Sequence, residues 1–195
     1  MKTSECDIVI VGVGGQGVTL ISDAIGRAAV KIGKSVRGAE THGMAQRGGS
    51  VINHVRVGCI YGPMVASGSA DILLALEPAE ALRYGYFISP PGVAIINTQP
   101  VLPSTVTSGR AEYPPIEEIL KPLHQFCQNL FTLDATALAE LAGTAQAMNS
   151  VMLGTLSPYI PLPEGMLLES LCQIVPTKFL EVNRKAFALG KAEVE

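Results

Sequence analysis

The chain alternates short, uniformly apolar runs with stretches whose apolar residues recur every three or four positions, the pattern of strands feeding helices. Ile8-Val9-Ile10-Val11, entered from Cys6, has no polar interruption and reads as a strand buried on both faces of a sheet. From Val18 to Ile32, the residues Val18, Ile21, Ile25, Ala28, Ala29 and Ile32 share one helical face, and Gly33 supplies the stop. Ser35 to Ala39 reads as a short second strand. Val51, Asn53, Val55 and Val57 alternate with Ile52, His54 and Arg56, which predicts a strand with one wetter face. Ala70 to Leu76 is another buried strand, and Glu77-Pro78 opens a short helix to about Tyr84.

Further along, a strand is expected from Gly92 to Asn97, after the Pro90-Pro91 break. The Pro-, Ser- and Thr-rich stretch 98–115 reads as a loop or hairpin. Ile116 to Gln125 looks helical, with Pro122 disturbing its last turn. A short strand, Leu130 to Leu133, and a short helix, Ala135 to Leu141, follow. From Gln146 onward the pattern is helical, with interruptions at Pro158, from Pro161 to Gly165, and at Pro176. This alternation predicts an α/β fold: a three-layer α/β/α arrangement about a mostly parallel sheet, made mixed by the extended segments after Ser50. No internal repeat, low-complexity tract or linker divides the chain, so residues 1–195 are expected to form a single domain.

Composition narrows the function classes. Hydrophobic residues make up 48% of the chain and charged residues 16%. Either one extensive face is covered by a partner, or this is a compact α/β domain rich in Ala, Gly and Val. The net charge is −3 and no basic stripe is present, which argues against a nucleic-acid partner. No apolar run approaches the roughly 20 residues that span a bilayer. The first residues, Met1 to Asp7, carry acids and do not read as a signal peptide, so a cytoplasmic location is expected. Cys6, Cys59, Cys127 and Cys172 are too scattered for a thiolate-held metal or iron–sulfur site within the chain.

Two segments carry candidate chemistry. Gly12-x-Gly14-Gly15-Gln16-Gly17 lies between a strand and a helix, where backbone N–H groups and the positive end of the helix dipole favour a phosphate or carboxylate. The same glycines could simply let the strand pack tightly on its helix. A dinucleotide site also wants an acid at the end of the second strand, about 20 residues on. That region reads Val36-Arg37-Gly38-Ala39-Glu40, where Arg37 suits a 2′-phosphate better than a ribose hydroxyl and Glu40 sits late. The second segment holds Glu40, Thr41, His42, Gln46, Arg47, Gly48, Gly49 and Ser50 within eleven residues. It reads as a loop at the C-terminal edge of the sheet, beside the glycine loop, where α/β proteins bind ligands. His42 and Glu40 have no nucleophile with them, so no catalytic residue is assigned. Arg47 is the best anion candidate in the segment. A hydrogen-bonded structural loop or a subunit contact remains the alternative.

Together, Gly12-x-Gly14-Gly15-Gln16-Gly17 and Glu40-Thr41-His42-Gly43-Met44-Ala45-Gln46-Arg47-Gly48-Gly49-Ser50-Val51 closely resemble the gamma-type domain of 2-oxoacid:ferredoxin oxidoreductases. The second motif is the specific one. Asn149-Ser150-Val151-Met152-Leu153-Gly154 and Val182-Asn183-Arg184-Lys185-Ala186-Phe187, with Gly190 beyond, resemble the same family, so the likeness spans almost the whole chain. Within the family, the wording of the second motif and the separate chain most resemble the beta subunit of the indolepyruvate type. The resemblance implies a Rossmann-like fold of the pyruvate:ferredoxin oxidoreductase domain III type. It further implies a part in oxidative decarboxylation of a 2-oxoacid with coenzyme A, giving an acyl-CoA, carbon dioxide and reduced ferredoxin. Thiamine diphosphate and iron–sulfur clusters would lie on a large alpha subunit, and this chain, holding neither, would help form the coenzyme A path, with Arg47 or Arg37 near an anionic group. The competing readings are a subunit serving pyruvate, 2-oxoglutarate or a branched-chain oxoacid, an autonomous NAD(P)-binding protein, and a scaffold whose loops bind nothing.

Overall fold

A computed structural model describes residues 5–42 and 48–194. In chain order the strands are β1 (Cys6–Val13), β2 (Val36–His42), β3 (Ser50–Val57), β4 (Ala70–Ala75), β5 (Ile88–Asn97) and β6 (Asn129–Leu133). The helices are α1 (Val18–Lys31), α2 (Pro78–Tyr84), α3 (Ser104–Thr107), α4 (Ile116–Leu123), α5 (Ala135–Ala142), α6 (Met148–Leu156), α7 (Glu164–Ile174) and α8 (Leu180–Ala192). The strands form one sheet in the order β2-β3-β1-β4-β5-β6. β1, β4, β5 and β6 pair in parallel, whereas β3 runs antiparallel to both β1 and β2. The expected mixed, mostly parallel sheet is therefore present.

Alternation along the central strands builds two cores. Ile8, Ile10, Ile72, Leu74 and Ile95 point to one face, beneath α1 and the cluster α5 to α8. Val9, Val11, Leu73, Ala75 and Ile96 point to the other, beneath α2 and α4. Each such fully buried Ile or Leu contributes about 1.5–3 kcal/mol. α6 is buried from Met148 to Leu156, which suits a helix that is apolar or small on every side. Among the described residues no helix is long and apolar enough to cross a membrane.

Four local expectations are corrected. β2 runs on through Glu40, Thr41 and His42, because β3 offers paired backbone from Val57 to Val51. As an edge strand with one flank in solvent, β2 tolerates those polar residues. β5 starts at Ile88, ahead of Pro90-Pro91. The two prolines fall where its register with β4 shifts, so their missing or displaced donors break no ladder. A short helix, α3, forms within the stretch expected to be loop. The wetter face of β3 is also not wet: His54 is 1% exposed and Ile52 7%. The connector to β4 folds over that face, where Val65 N–H donates to His54 Nδ1 (3.3 Å), and Arg56 forms a two-pronged pair with Asp7 (2.9 and 3.0 Å).

Candidate functional site at the C-terminal rim of the sheet

β1 ends at Val13 and the chain turns through the glycine loop into α1. The antiparallel ladder with β3 places Val13 opposite Ser50 and then continues past both strands. Gly14 N–H donates to Gly49 O (2.8 Å), and Gly48 N–H donates to Gly14 O (3.3 Å). The two glycine-bearing segments singled out in the sequence are thus joined backbone to backbone at one rim.

The glycine loop is braced by Gln16. Its Oε1 accepts from Val13 N–H (2.7 Å), and its Nε2 donates to Leu76 O at the end of β4 (2.9 Å). Asn97 Nδ2 donates to the same carbonyl (3.1 Å), while Asn97 Oδ1 accepts from Ala135 N–H (3.0 Å) at the start of α5. Gln16 therefore serves the loop's own shape. Gly17 is the N-cap of α1 with φ 82°, a left-handed conformation that favours glycine, and no side chain caps the helix. A Cβ at Gly17 would overlap the amide of Asn149, which is 8% exposed on the first turn of α6. The N-terminal N–H groups of α1 thus emerge where the dipole favours an anion, with Asn149 beside them.

Glu40 lies on β2 facing α1. Its carboxylate accepts from Thr19 Oγ1 (2.9 Å) and Asn53 Nδ2 (3.2 Å), and Asn53 Nδ2 also donates to Ser22 Oγ (2.7 Å). These residues line one end of a groove of about 590 Å³ between α1 and the β2–β3 hairpin. Thr41 and His42 close β2 opposite Ile52 and Val51. Gly43, Gln46 and Arg47 lie outside the described residues.

Arg37 is not brought to the rim. It pairs across from Arg56, near the start of β1, five residues and about 17 Å of strand from His42. The part given to Arg37 as an anion contact at the loops is therefore corrected. The NAD(P) reading weakens for a related reason. β3 is inserted between β1 and β2, so Glu40 stands two strands from β1 rather than on the adjacent strand that carries a ribose-binding acid.

Several rim residues were not assigned to the site from sequence, although Glu77 was read there as the start of a helix. Glu77 caps α2, its Oε2 accepting from Glu80 N–H (3.0 Å). Its Oε1 accepts from Tyr113 Oη (2.6 Å) and Val101 N–H (3.4 Å), which ties the excursion between β5 and α4 to the helix start. The legible signal was an acid three residues before Glu80 at the end of an apolar strand, a capping pattern. Ser50 donates to the Glu80 carboxylate and sits 2.9 Å from the Tyr84 hydroxyl. Burial raises the Glu80 carboxyl above its ordinary value, partly offset by Ser50 and Arg83.

Cys6 is buried in β1, Cys59 after β3 and Cys127 after α4, while Cys172 is partly exposed on α7. No group of three His, Cys, Asp or Glu side chains suited to a metal occurs among the described residues. This donor set does not fit an iron–sulfur cluster.

Comparison with known proteins accords with this architecture. The profile of the pyruvate ferredoxin/flavodoxin oxidoreductase family matches residues 7–193. The indolepyruvate oxidoreductase subunit IorB of Archaeoglobus fulgidus is 43% identical over 186 residues, covering 94% of this chain and 92% of that protein. Among solved structures, the gamma subunit of a keto/oxoacid ferredoxin oxidoreductase from Geobacter sulfurreducens superposes with TM-score 0.71 at 23% identity, over 97% of this chain and 98% of that one. A 2-oxoglutarate:ferredoxin oxidoreductase from Magnetococcus marinus, solved with 2-oxoglutarate, coenzyme A and succinyl-CoA bound, gives TM-score 0.71 at 21% identity, over 98% of this chain and 31% of that longer chain. With a family profile spanning nearly its whole length and a close full-length relative, the chain belongs to the pyruvate ferredoxin/flavodoxin oxidoreductase family.

Proposed function

We propose that this chain is the small subunit of an indolepyruvate- or arylpyruvate-oxidising complex, in which it forms part of the coenzyme A path at the interface with the active site. The observation that carries the reading is the backbone junction of Gly14 with Gly48 and Gly49 at the start of α1. It presents glycine backbone and helix N–H groups on one rim, which is suited to the anionic groups of coenzyme A. We assign this surface to Gly14, Gly15, Gly17, Thr41, Gly48 and Gly49, with Gly12, Gln16, Glu40 and Ser50 shaping it; His42, Gln46 and Arg47 are assigned to it from the sequence alone. The 43% identity to an IorB subunit favours an aryl 2-oxoacid over pyruvate, 2-oxoglutarate or a branched-chain oxoacid.

The residues of this chain bind, orient and exclude water; they do not perform the chemistry. Thiamine diphosphate and the iron–sulfur clusters belong to a large partner subunit, which supplies decarboxylation and electron transfer to ferredoxin. The chain acts as one gamma-type domain in the cytoplasm, with neither nucleic acid nor membrane as partner.

The test is steady-state kinetics of the assembled complex with indolepyruvate and a redox dye, varying coenzyme A. Arg47→Ala should raise the KM for coenzyme A about tenfold or more, the loss expected for one charge-assisted contact. An unchanged coenzyme A dependence counts against the loops as its binding surface.

A further inference from the structure

The hydroxyl of Ser50 is gripped from the far face of the sheet, opposite α1. It donates to Glu80, so the Tyr84 hydroxyl 2.9 Å away must be the donor to Ser50, since each hydroxyl carries one proton. Tyr84, Ser50 and Glu80 thus form a single chain of hydrogen bonds. Glu80 and Tyr84 are four residues apart on α2 and share one helical face. Glu80, 5% exposed, also pairs with Arg83 Nε at 3.3 Å. α2 cannot drift away from this grip, because Glu77 anchors its first turn to Tyr113 and Val101.

What Ser50 holds is the turn just before it. Gly49 and Gly48 make the two backbone bonds to Gly14, so fixing Ser50 fixes the height of that turn over the glycine loop. A buried carboxyl is a costly way to fill space, since an apolar residue of similar size would pack against α2 without desolvating a charge. Its pairing with a hydroxyl at the mouth of the turn is an arrangement for placement.

We propose that Glu80 and Tyr84 are positioning residues that act through Ser50 to set the Gly48-Gly49 turn against Gly14, and so the fit of coenzyme A at the rim. This rests on the reading that the joined loops receive coenzyme A.

The experiment uses the assembled oxidoreductase, varying coenzyme A and indolepyruvate separately. Tyr84→Phe and Glu80→Gln should each raise the KM for coenzyme A about two- to tenfold, the size of one net hydrogen bond. kcat at saturating coenzyme A and the KM for indolepyruvate should stay at wild-type values. Ser50→Ala should match them, and Ser50→Thr, which keeps the hydroxyl, should recover the wild-type KM. If Glu80→Gln assembles poorly, Tyr84→Phe carries the test, because it keeps the packed ring. A KM for coenzyme A unchanged in Tyr84→Phe and Ser50→Ala, while Arg47→Ala raises it, overturns the positioning role and leaves the loop reading standing. No change in any of the variants, Arg47→Ala included, removes the loop reading and the positioning role together. A fall in kcat with no change in KM also overturns the proposal.

Discussion

Gly154 on α6 and Gly190 on α8 press against each other's helix backbone. A Cβ on Gly154 would overlap Phe187 O, and one on Gly190 would overlap Val151 O. Thr155 Oγ1 reinforces the crossing, its single proton shared between Gly190 O (2.9 Å) and Val151 O (3.1 Å). Gly154→Ala or Gly190→Ala should therefore cost about 1–3 kcal/mol or more, as overpacking of a rigid contact does. Gly26→Ala, on α1 with nothing near its added methyl, should be neutral or stabilise by about 0.5–1 kcal/mol. Urea midpoints of the three variants decide the matter, and equal midpoints would refute the close crossing.

His54 gives the fold an acid sensitivity of known sign. Burial lowers its pKa below the ordinary 6.5, so just below 6.5 the unfolded chain binds the proton more readily than the folded one. Its contribution to stability is complete above about pH 6.5 and is lost as pH falls through and below that value. Thermal melts from pH 8 to pH 5 should fall less steeply for His54→Gln than for wild type.

Glu80 works in the opposite direction. Its folded pKa is raised above 4.5, chiefly by burial, so the folded chain holds the proton to higher pH than the unfolded chain. That contribution is present below pH 4.5 and fades as pH rises through the folded value. Glu80→Gln, which has no proton to lose, should gain stability relative to wild type as pH climbs from about 4.5 to 7. A melting-temperature difference that is flat with pH would show that the carboxyl is not desolvated.

The tether at Glu77 predicts a local loosening. Tyr113→Phe removes the 2.6 Å bond to the buried Glu77 carboxylate, a loss of about 1.5–3 kcal/mol for a hydrogen bond to a charged group. Hydrogen exchange should quicken most between residues 98 and 115, with β1 and β4 unaffected. Uniform quickening across the sheet would mean that the tether serves the whole fold.

Thiol reactivity should follow burial. The Cys6 thiol is pushed up to about 12, mainly by burial with Asp71 and Asp7 adding to it, and burial also raises Cys127. Cys172 is the one partly exposed thiol of the four. At pH 8 a chromogenic disulfide should label Cys172 first, and Cys6 only once denaturant is added.

The sheet's parallel core was legible because Ile8 to Val11 and Ala70 to Leu76 are uninterrupted apolar runs, and α1 because its apolar residues keep helical spacing. The position of β3 was not. Alternation reveals a strand but not its neighbours, and the β2–β3 hairpin pairs across a segment whose polarity reads as loop. The joined loops were foreseeable, since turns after strands that run the same way in one sheet share an edge. Glu80 and Tyr84 were not, because their partner Ser50 lies 30 and 34 residues away and no local pattern links them. Gly154 and Gly190 stood in recognised segments, yet their reason is a helix crossing that no spacing along one chain encodes.

The carbonyl of Leu76 receives Gln16 from one side and Asn97 from the other, while Leu76 N–H reaches Val11 O at 2.9 Å. One residue thereby stitches the ends of β1, β4 and β5 into a stiff bracket under the glycine loop. A molecule pushing on that loop meets the rigidity of three strands at once, so whatever adapts when it arrives must be the guest or the hairpin at the sheet's edge, not the floor.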